Sequence, residues 1–196
     1  MAFQMITISR QFGAGGRDIG RALAERLSIR LYDKELASMI AERTELPLAY
    51  VESNGEYAAG RGFASFIAQR NGNGRSAQDE IWDAEVSIIK ELAAKGKPCI
   101  FIGRSADYIL RNEPDCLHVF IYADAKYRAE KAVSRGLREA DPVKYIMERD
   151  KRRSIHCEFY TGRVWGRPEN YHLMLDSGKL SEAFCTELIT RAFEKE

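Results

Sequence analysis

Near its start the chain reads Ile6-Thr-Ile-Ser-Arg-Gln-Phe-Gly-Ala-Gly-Gly-Arg-Asp-Ile-Gly20, and this stretch decides the fold. Residues 5–10 form a short apolar run with β-branched members, which is typical of a buried strand. A glycine-rich turn over 11–16 follows, and the apolar residues of 18–27 then recur at helical spacing. A strand, a glycine loop and a helix in this order begin a nucleotide-binding α/β unit.

The glycines of the loop indicate what it binds. Gly13, Gly15 and Gly16 can adopt positive φ and turn their backbone N–H groups inward, toward an anion at the start of the following helix. The alternative is a glycine turn that only packs the helix against the strand. The predicted phosphate-binding residues are Gly13, Ala14, Gly15, Gly16, Arg17 and Asp18.

The loop departs from the usual phosphate-loop pattern G-x-x-x-x-G-K-[ST]. With Gly15 as the second glycine, Arg10 stands in place of the first, Gly16 in place of the lysine and Arg17 in place of the Ser or Thr. The lysine for the β- and γ-phosphates and the hydroxyl for Mg²⁺ are therefore both missing from their positions. We expect Arg17 to supply the cation and Asp18 to hold the metal, directly or through water.

The rest of the chain alternates between apolar runs and helical patterns. We predict further strands at 29–32, 98–103, 117–123 and 171–175, with helices between them, among them 105–111 and 142–156. Asp33 is expected to cap the helix that follows it, and Ser76 with Asp79 to form a capping box at the start of a long helix. This alternation predicts a single-domain, three-layer α/β/α sandwich with a five-stranded parallel sheet, a flap at about 46–75 and a lid at about 149–170. Ligands of such sheets bind at the carboxyl ends of the strands, where the glycine loop, Arg104 and Asp124 fall.

Arginines recur near that edge. Arg149, Arg153 and His156 are spaced to share one face of a helix, and Arg104 directly follows a buried strand. A lid helix could bring Arg149 and Arg153 onto transferring phosphates, because phosphoryl transfer depends on charge stabilisation. The alternatives are a solvated charged face and a strand end that reaches water. The aromatic and basic segment 159–167 could stack a base or pin the lid to the body.

Composition excludes several classes of protein. The net charge is +1, so there is no overall field for nucleic acid or an anionic membrane. No apolar run approaches the roughly 20 residues of a spanning helix, and the N-terminus does not read as a signal peptide. The four cysteines lack metal-ligand spacing and are expected to be reduced thiols. We therefore expect a cytoplasmic protein without nucleic-acid or membrane partners.

Several blocks together resemble the cytidylate kinase-like family over nearly the whole chain. Besides the opening motif they are Tyr32-Asp-Lys34, Gly103-Arg-Ser-Ala-Asp-Tyr-Ile-Leu110, Asp150-Lys-Arg-Arg153, Tyr160-Thr-Gly162, Trp165-Gly166 and Asn170-Tyr171. The family's loop tends to read Gly-Gly-Arg, so the missing lysine is shared with it. The family is similar in turn to CMP kinases, which have a phosphate loop, a flap and a lid.

This resemblance implies ATP and Mg²⁺ as cofactors and small nucleotides as substrates. It implies that Arg104 binds the acceptor's phosphate, that Arg149 and Arg153 are lid arginines, and that Asp33 and Asp107 face the acceptor nucleoside. With Arg17, the two lid arginines are the predicted catalytic residues.

The sequence thus predicts ATP-dependent phosphoryl transfer to a small acceptor, nominally CMP or dCMP. Three alternatives stay open: a kinase for a different small acceptor, a nucleotide-binding module without turnover, and a scaffold. A homo-oligomer is possible in each case.

Overall fold

A computed structural model of the protein describes residues 3–55 and 76–195. Its strands are β1 (Met5–Arg10), β2 (Arg30–Tyr32), β3 (Cys99–Ile102), β4 (Cys116–Tyr122) and β5 (Leu173–Asp176). They form one sheet in the order β2-β3-β1-β4-β5, and every neighbouring pair is parallel. The predicted five-stranded parallel sheet is confirmed.

Helices cover both faces of this sheet, which confirms the predicted sandwich. Within the described residues the α-helices are α1 (Gly16–Leu27), α2 (Lys34–Thr44), α3 (Leu48–Asn54), α4 (Ala77–Ala93), α5 (Ala106–Ile109), α6 (Ala125–Ser134), α7 (Pro142–Thr161), α8 (Ser177–Leu180) and α9 (Glu182–Glu194). A 3₁₀ turn spans Pro168–Asn170.

The core is divided by the sheet, because successive strand side chains point to opposite faces. Ile6 and Ile8 of β1 are fully buried in a cluster with residues of α1 and α9. Phe101 of β3 is fully buried in the other cluster, with residues of α2, α4 and α5. Burying one such side chain contributes about 1.5–3 kcal/mol, so the two clusters fix the sheet and thereby its carboxyl edge.

Several element boundaries differ from the sequence prediction, and among them are the end of α7 and the start of β5. The helix expected over 142–156 continues to Thr161 and ends where Gly162 adopts a φ of 67°. The last strand begins at Leu173 rather than at Tyr171, after the 3₁₀ turn. Of the flap predicted at 46–75, the structure describes 46–55, which includes α3; the rest lies outside the described residues.

Polar side chains cap some of the helices. Ser76 and Asp79 form the predicted capping box of α4. Asp124, at the end of β4, accepts the N–H groups of Lys126 and Tyr127 and so caps α6. Asp33 stands at the start of α2 but makes no side-chain cap there, which corrects the expectation that it caps this helix.

All four cysteines lie in the described part of the chain, and all are buried and unpaired. None of the helices that the structure describes is both long enough and apolar enough to cross a membrane.

Candidate functional site

The glycine loop between β1 and α1 turns its backbone toward the start of the helix. Gly13 and Gly15 have φ values of 81° and 80°, in the left-handed region that glycine enters without strain. The carbonyl of Gly15 accepts the N–H group of Asp18. Among the described residues, the N–H groups of Gly15, Gly16 and Arg17 donate to no other backbone group. Donors grouped in this way at a helix start form a cradle that suits an anion.

Close packing explains why two of these positions are glycine. A Cβ at Gly13 would lie 2.5 Å from the carbonyl oxygen of Arg128. A Cβ at Gly15 would overlap the ion pair between Lys131 and Glu182. A side chain at Gly13 would therefore push the loop away from α6, and one at Gly15 would displace that ion pair and strain a backbone with a φ of 80°.

A buried ion pair between α6 and α7 holds the loop from its other side. Arg128 donates from Nε to the carbonyl of Ala123 at 2.9 Å. Its Nη1 donates to the carbonyl of Phe12 at 2.9 Å and to Oδ2 of Asp150 at 2.6 Å. Oδ1 of Asp150 accepts the backbone N–H of Phe12 at 2.7 Å. Both backbone polar groups of one loop residue are thus held by this pair, which we call the loop brace.

The two predicted lid arginines reach the same loop residue. The Cζ atoms of Arg149 and Arg153 each lie 5.9 Å from the ring centroid of Phe12. Arg153 is 8% exposed, and its Nη1 donates to the carbonyl of Arg10 at 3.2 Å. The prediction that Arg149 and Arg153 share a helix face is therefore met, and that face looks onto the glycine loop rather than onto solvent.

Arg104 lies at the carboxyl end of β3 in an unusual backbone conformation. Arg104 and Ser105 have φ values of 54° and 49°, a region that is uncommon for residues other than glycine. Arg104 is 7% exposed, and its Nη1 donates to Oε1 of the fully buried Glu85 at 2.5 Å. Backbone strain of this kind costs on the order of 1–3 kcal/mol and is concentrated at functional sites. Arg104 is therefore held in place, and it does not simply extend from a strand end into water.

The predicted acceptor carboxylates lie in two different places. Asp33 lines the main cavity, and its carboxylate is 3.1 Å from Nε of the half-exposed Arg17. Asp107 is buried and accepts the hydroxyl of Ser9 at 2.9 Å. Burial raises the pKa of Asp107, while the hydrogen bond from Ser9 opposes that shift. Asp107 lines a separate, small cavity of about 30 Å³ beside the main one.

A magnesium ion bound with ATP is usually held by one or two carboxylates and the phosphates. Asp18, the predicted ligand, faces Nη1 of Arg21 at 3.3 Å and Nη1 of Arg135 at 2.5 Å, and it does not line the main cavity. In the described part of the chain, no three His, Cys, Asp or Glu side chains group together as a metal site would require. While both ion pairs hold, the carboxylate of Asp18 is not available to a metal, and its predicted role as a metal ligand stays untested.

One cavity of about 640 Å³ brings most of these groups together at the carboxyl edge of the sheet. Its wall includes the glycine loop, Asp33, Arg104, Arg149 and Arg153. The aromatic segment 159–167, which begins in the last turn of α7, lies outside the wall of this cavity and packs against α4 and β4. Tyr160 stacks on Trp82 with ring centroids 4.7 Å apart, and Trp165 meets Phe120 edge-on at 5.2 Å.

Sequence reasoning did not identify the loop brace or three further cations of the cavity wall: Arg10, Lys34 and Arg135. Asp150 opens one of the recurring sequence blocks, which was the available signal for it. Arg128 gave no such signal, because in the sequence it resembles any charged residue on the surface of a helix. Only the structure shows that it is 2% exposed.

Comparison with solved structures agrees with this architecture. The chain is similar to an uncharacterized protein from Eubacterium ventriosum ATCC 27560, with a TM-score of 0.72 and 23% identity over 98% of this chain and 99% of that one. It is also similar in fold to a shikimate kinase from Acinetobacter baumannii, with a TM-score of 0.55 and 14% identity over 96% of this chain and 92% of that one. A gluconokinase from Sinorhizobium meliloti 1021 gives a TM-score of 0.55 and 15% identity over 97% and 95%.

No curated protein matches the chain. The model of the cytidylate kinase-like family matches residues 5–179, which include the glycine loop, the strand end that carries Arg104, the loop brace and both arginines of α7. The match spans all five strands of the sheet and all the elements that build the cavity, and on this evidence the chain belongs to the cytidylate kinase-like family.

Proposed function

We propose that this protein transfers the γ-phosphoryl group of ATP to a small acceptor that already carries a phosphate, nominally CMP or dCMP. One observation carries the proposal. A glycine loop whose N–H groups at 15–17 have no backbone acceptor among the described residues, a strained arginine at a strand end and two arginines of α7 all line one cavity. Family membership supports phosphoryl transfer to a small acceptor, and the finer choice of substrate is our inference.

The reaction needs positioning and charge stabilisation more than covalent help from the protein. An oxygen of the acceptor's phosphate attacks the γ-phosphorus of ATP in line. A new P–O bond forms, the bond from the γ-phosphorus to the β–γ bridging oxygen breaks, and ADP leaves with that electron pair. No general base is required, because the attacking oxygen is already an anion.

Each group of the cavity has a place in this scheme. The loop N–H groups of Gly15, Gly16 and Arg17 would bind the phosphates of ATP. Arg149 and Arg153 would stabilise the charge on the transferred phosphoryl group, since they face the loop from α7. Magnesium would accompany the nucleotide, and no step here is assigned to it.

On the acceptor side, Arg104 is the group that would bind the acceptor's phosphate. Its guanidinium is fixed by Glu85, and a fixed fork of N–H donors suits phosphate. Asp33 and Asp107 remain predicted contacts of the acceptor nucleoside. Asp107 would reach it only through the small cavity that it lines.

A panel of acceptors tests the proposal. ADP release is measured with ATP and Mg²⁺ and with CMP, dCMP, UMP, AMP, shikimate, gluconate or water. We expect release to depend on an acceptor that carries a phosphate. Equal release with shikimate or gluconate would instead favour a kinase for a different acceptor. ATP binding without release above the water control for any acceptor would favour a nucleotide-binding module.

Arg104→Met separates acceptor binding from nucleotide binding. If Arg104 holds the acceptor's phosphate, the variant should raise the KM for the acceptor at least about tenfold, since a hydrogen bond to a charged group contributes about 1.5–3 kcal/mol. Its affinity for ATP should stay close to that of the native protein. Arg138→Met is the matched control, because Arg138 is exposed and lies outside the cavity wall.

A further inference from the structure

The position that carries the lysine in the usual phosphate loop is Gly16 here, and a side chain at this position would collide with Arg10. A Cβ at Gly16 would lie 2.8 Å from Cβ of Arg10 and 2.9 Å from its Cγ. Real Cβ atoms essentially never approach so closely, and both crowding atoms lie next to the backbone of Arg10 rather than at the flexible end of its side chain. A side chain at Gly16 and the arginine at position 10 therefore exclude each other.

This pair of positions is reversed relative to the usual pattern. In G-x-x-x-x-G-K-[ST], the first position is a glycine and the seventh is the lysine. In this chain the first position is Arg10 and the seventh is Gly16. A side chain is therefore present at the first position and absent at the seventh, which is the opposite of the usual loop.

Arg10 is placed to act in the cavity. It is the last residue of β1, is 6% exposed, and lines the same cavity as the glycine loop, Arg104, Arg149 and Arg153. The peptide group between Arg10 and Gln11 is held through both of its polar atoms. The carbonyl of Arg10 accepts Nη1 of Arg153, and the next N–H, of Gln11, donates to the carbonyl of Ile121 at 3.0 Å.

We propose that Arg10 does the work of the missing lysine, so that its guanidinium binds the β- and γ-phosphate oxygens of ATP from the strand end of the loop. The inference rests on the proposed function and adds to it the residue that recognises the outer phosphates. A guanidinium can donate two parallel hydrogen bonds to phosphate, where an ammonium acts as a point charge.

Arg17 is the rival for this role. It is also in the loop, but its guanidinium is half exposed and lies against Asp33 at 3.1 Å. Arg10 lies at the end of β1, before the loop, and Arg17 lies in the first turn of α1, after it. The two assignments predict different variants to be damaged, so they can be separated by binding alone.

The test is the affinity of the full-length protein for AMP, ADP and ATP, the last two with Mg²⁺, by calorimetry. We expect Arg10→Ala to weaken binding of ADP and ATP roughly tenfold to a hundredfold and to leave AMP nearly unchanged. Arg10→Lys should weaken it less. Arg26→Ala is the control, because Arg26 is exposed at the far end of α1. Thermal unfolding of each variant identifies any loss that comes from misfolding.

A double variant tests the reversal directly. Arg10→Gly with Gly16→Lys restores the first glycine and the lysine of the usual pattern, and it should bind ATP more tightly than Arg10→Gly alone. Gly16→Lys alone should be less stable than the native protein, since Arg10 is still in the way.

The inference is overturned if native protein and Arg10→Ala bind ATP equally, or if Arg17→Ala rather than Arg10→Ala loses the preference for ATP over AMP. If the native protein binds none of the three nucleotides, the proposed function fails together with this inference. If it binds ATP but transfers no phosphoryl group, only the proposed turnover fails.

Discussion

Because the loop brace holds the glycine loop, we expect its removal to lower both the free energy of unfolding and the affinity for ATP. Arg128→Met removes the hydrogen bonds to Ala123 and Phe12 and leaves Asp150 buried. Breaking a buried ion pair by removing one partner costs about 3–5 kcal/mol. Arg153 remains 3.6 Å from Oδ1 of Asp150, and the N–H of Phe12 still donates to that carboxylate. We therefore expect a loss near the lower limit, about 3 kcal/mol.

Urea unfolding, followed by tryptophan fluorescence, measures this loss. Arg138→Met is the control, since that arginine is exposed and should change the free energy of unfolding by less than about 0.5 kcal/mol. Asp150→Leu combined with Arg128→Met removes the unpaired charge. The double variant should therefore lose at least 1 kcal/mol less than the sum of the two single variants, since contacting residues are not additive.

The brace should also matter for the ligand. Because Arg128 and Asp150 hold both backbone polar groups of Phe12, the loop should loosen in Arg128→Met, and ATP affinity should fall even at temperatures where the variant is fully folded. An unfolding free energy equal to that of Arg138→Met, or additive effects of the two brace substitutions, would refute the reasoning. A loss of stability with unchanged ATP affinity would show that the loop brace stabilises the fold but does not contribute to nucleotide binding.

The remaining predictions concern the lid and a buried histidine. Arg153→Ala should lower kcat more than it raises the KM for the acceptor, because we assign the residue to the transferred phosphoryl group. A change in KM alone would show that Arg153 does not stabilise the transition state. Backbone amides over 155–170 should gain hydrogen-exchange protection when a non-hydrolysable ATP analogue and CMP are added, and unchanged protection would argue against a lid. His118 is 6% exposed, and burial lowers its pKa to about 4. Its folded-state pKa lies below the unfolded value of about 6.5, so the free energy of unfolding should fall by about 3 kcal/mol in total as the pH falls from about 6.5 to 4. In His118→Gln, the free energy of unfolding should depend less on pH over this range.

The sheet and the glycine loop could be predicted because local signals specify them. The apolar run of β1 ends at Arg10, and glycines follow it at once, so the strand boundary was predicted to the residue. The end of α7 was placed too early, because residues 157–161 carry no helix-stop signal and the helix continues to the left-handed Gly162. Asp33 was expected to cap α2, but the guanidinium of Arg17 takes its carboxylate.

The loop brace and the crowding of Arg10 against Gly16 could not be predicted in the same way. Arg128 and Asp150 are 22 residues apart on different helices, and only tertiary packing brings them together under Phe12. The sequence shows that a lysine is missing at Gly16. The reason appears only in the structure, where a Cβ at Gly16 would lie 2.8 Å from the Cβ of Arg10, six residues earlier. Such contacts depend on the path of the folded chain, which local patterns do not contain.

The central claim is transfer of the γ-phosphoryl group to an acceptor, and phosphorus NMR tests it most directly. Native protein is mixed with ATP, Mg²⁺ and the acceptor that releases the most ADP. The account predicts that the γ-phosphate signal of ATP declines while a new phosphoryl signal of the acceptor appears in a one-to-one ratio, with ADP as the co-product. ATP that binds yet persists unchanged with every acceptor, or that yields only inorganic phosphate, would contradict the account.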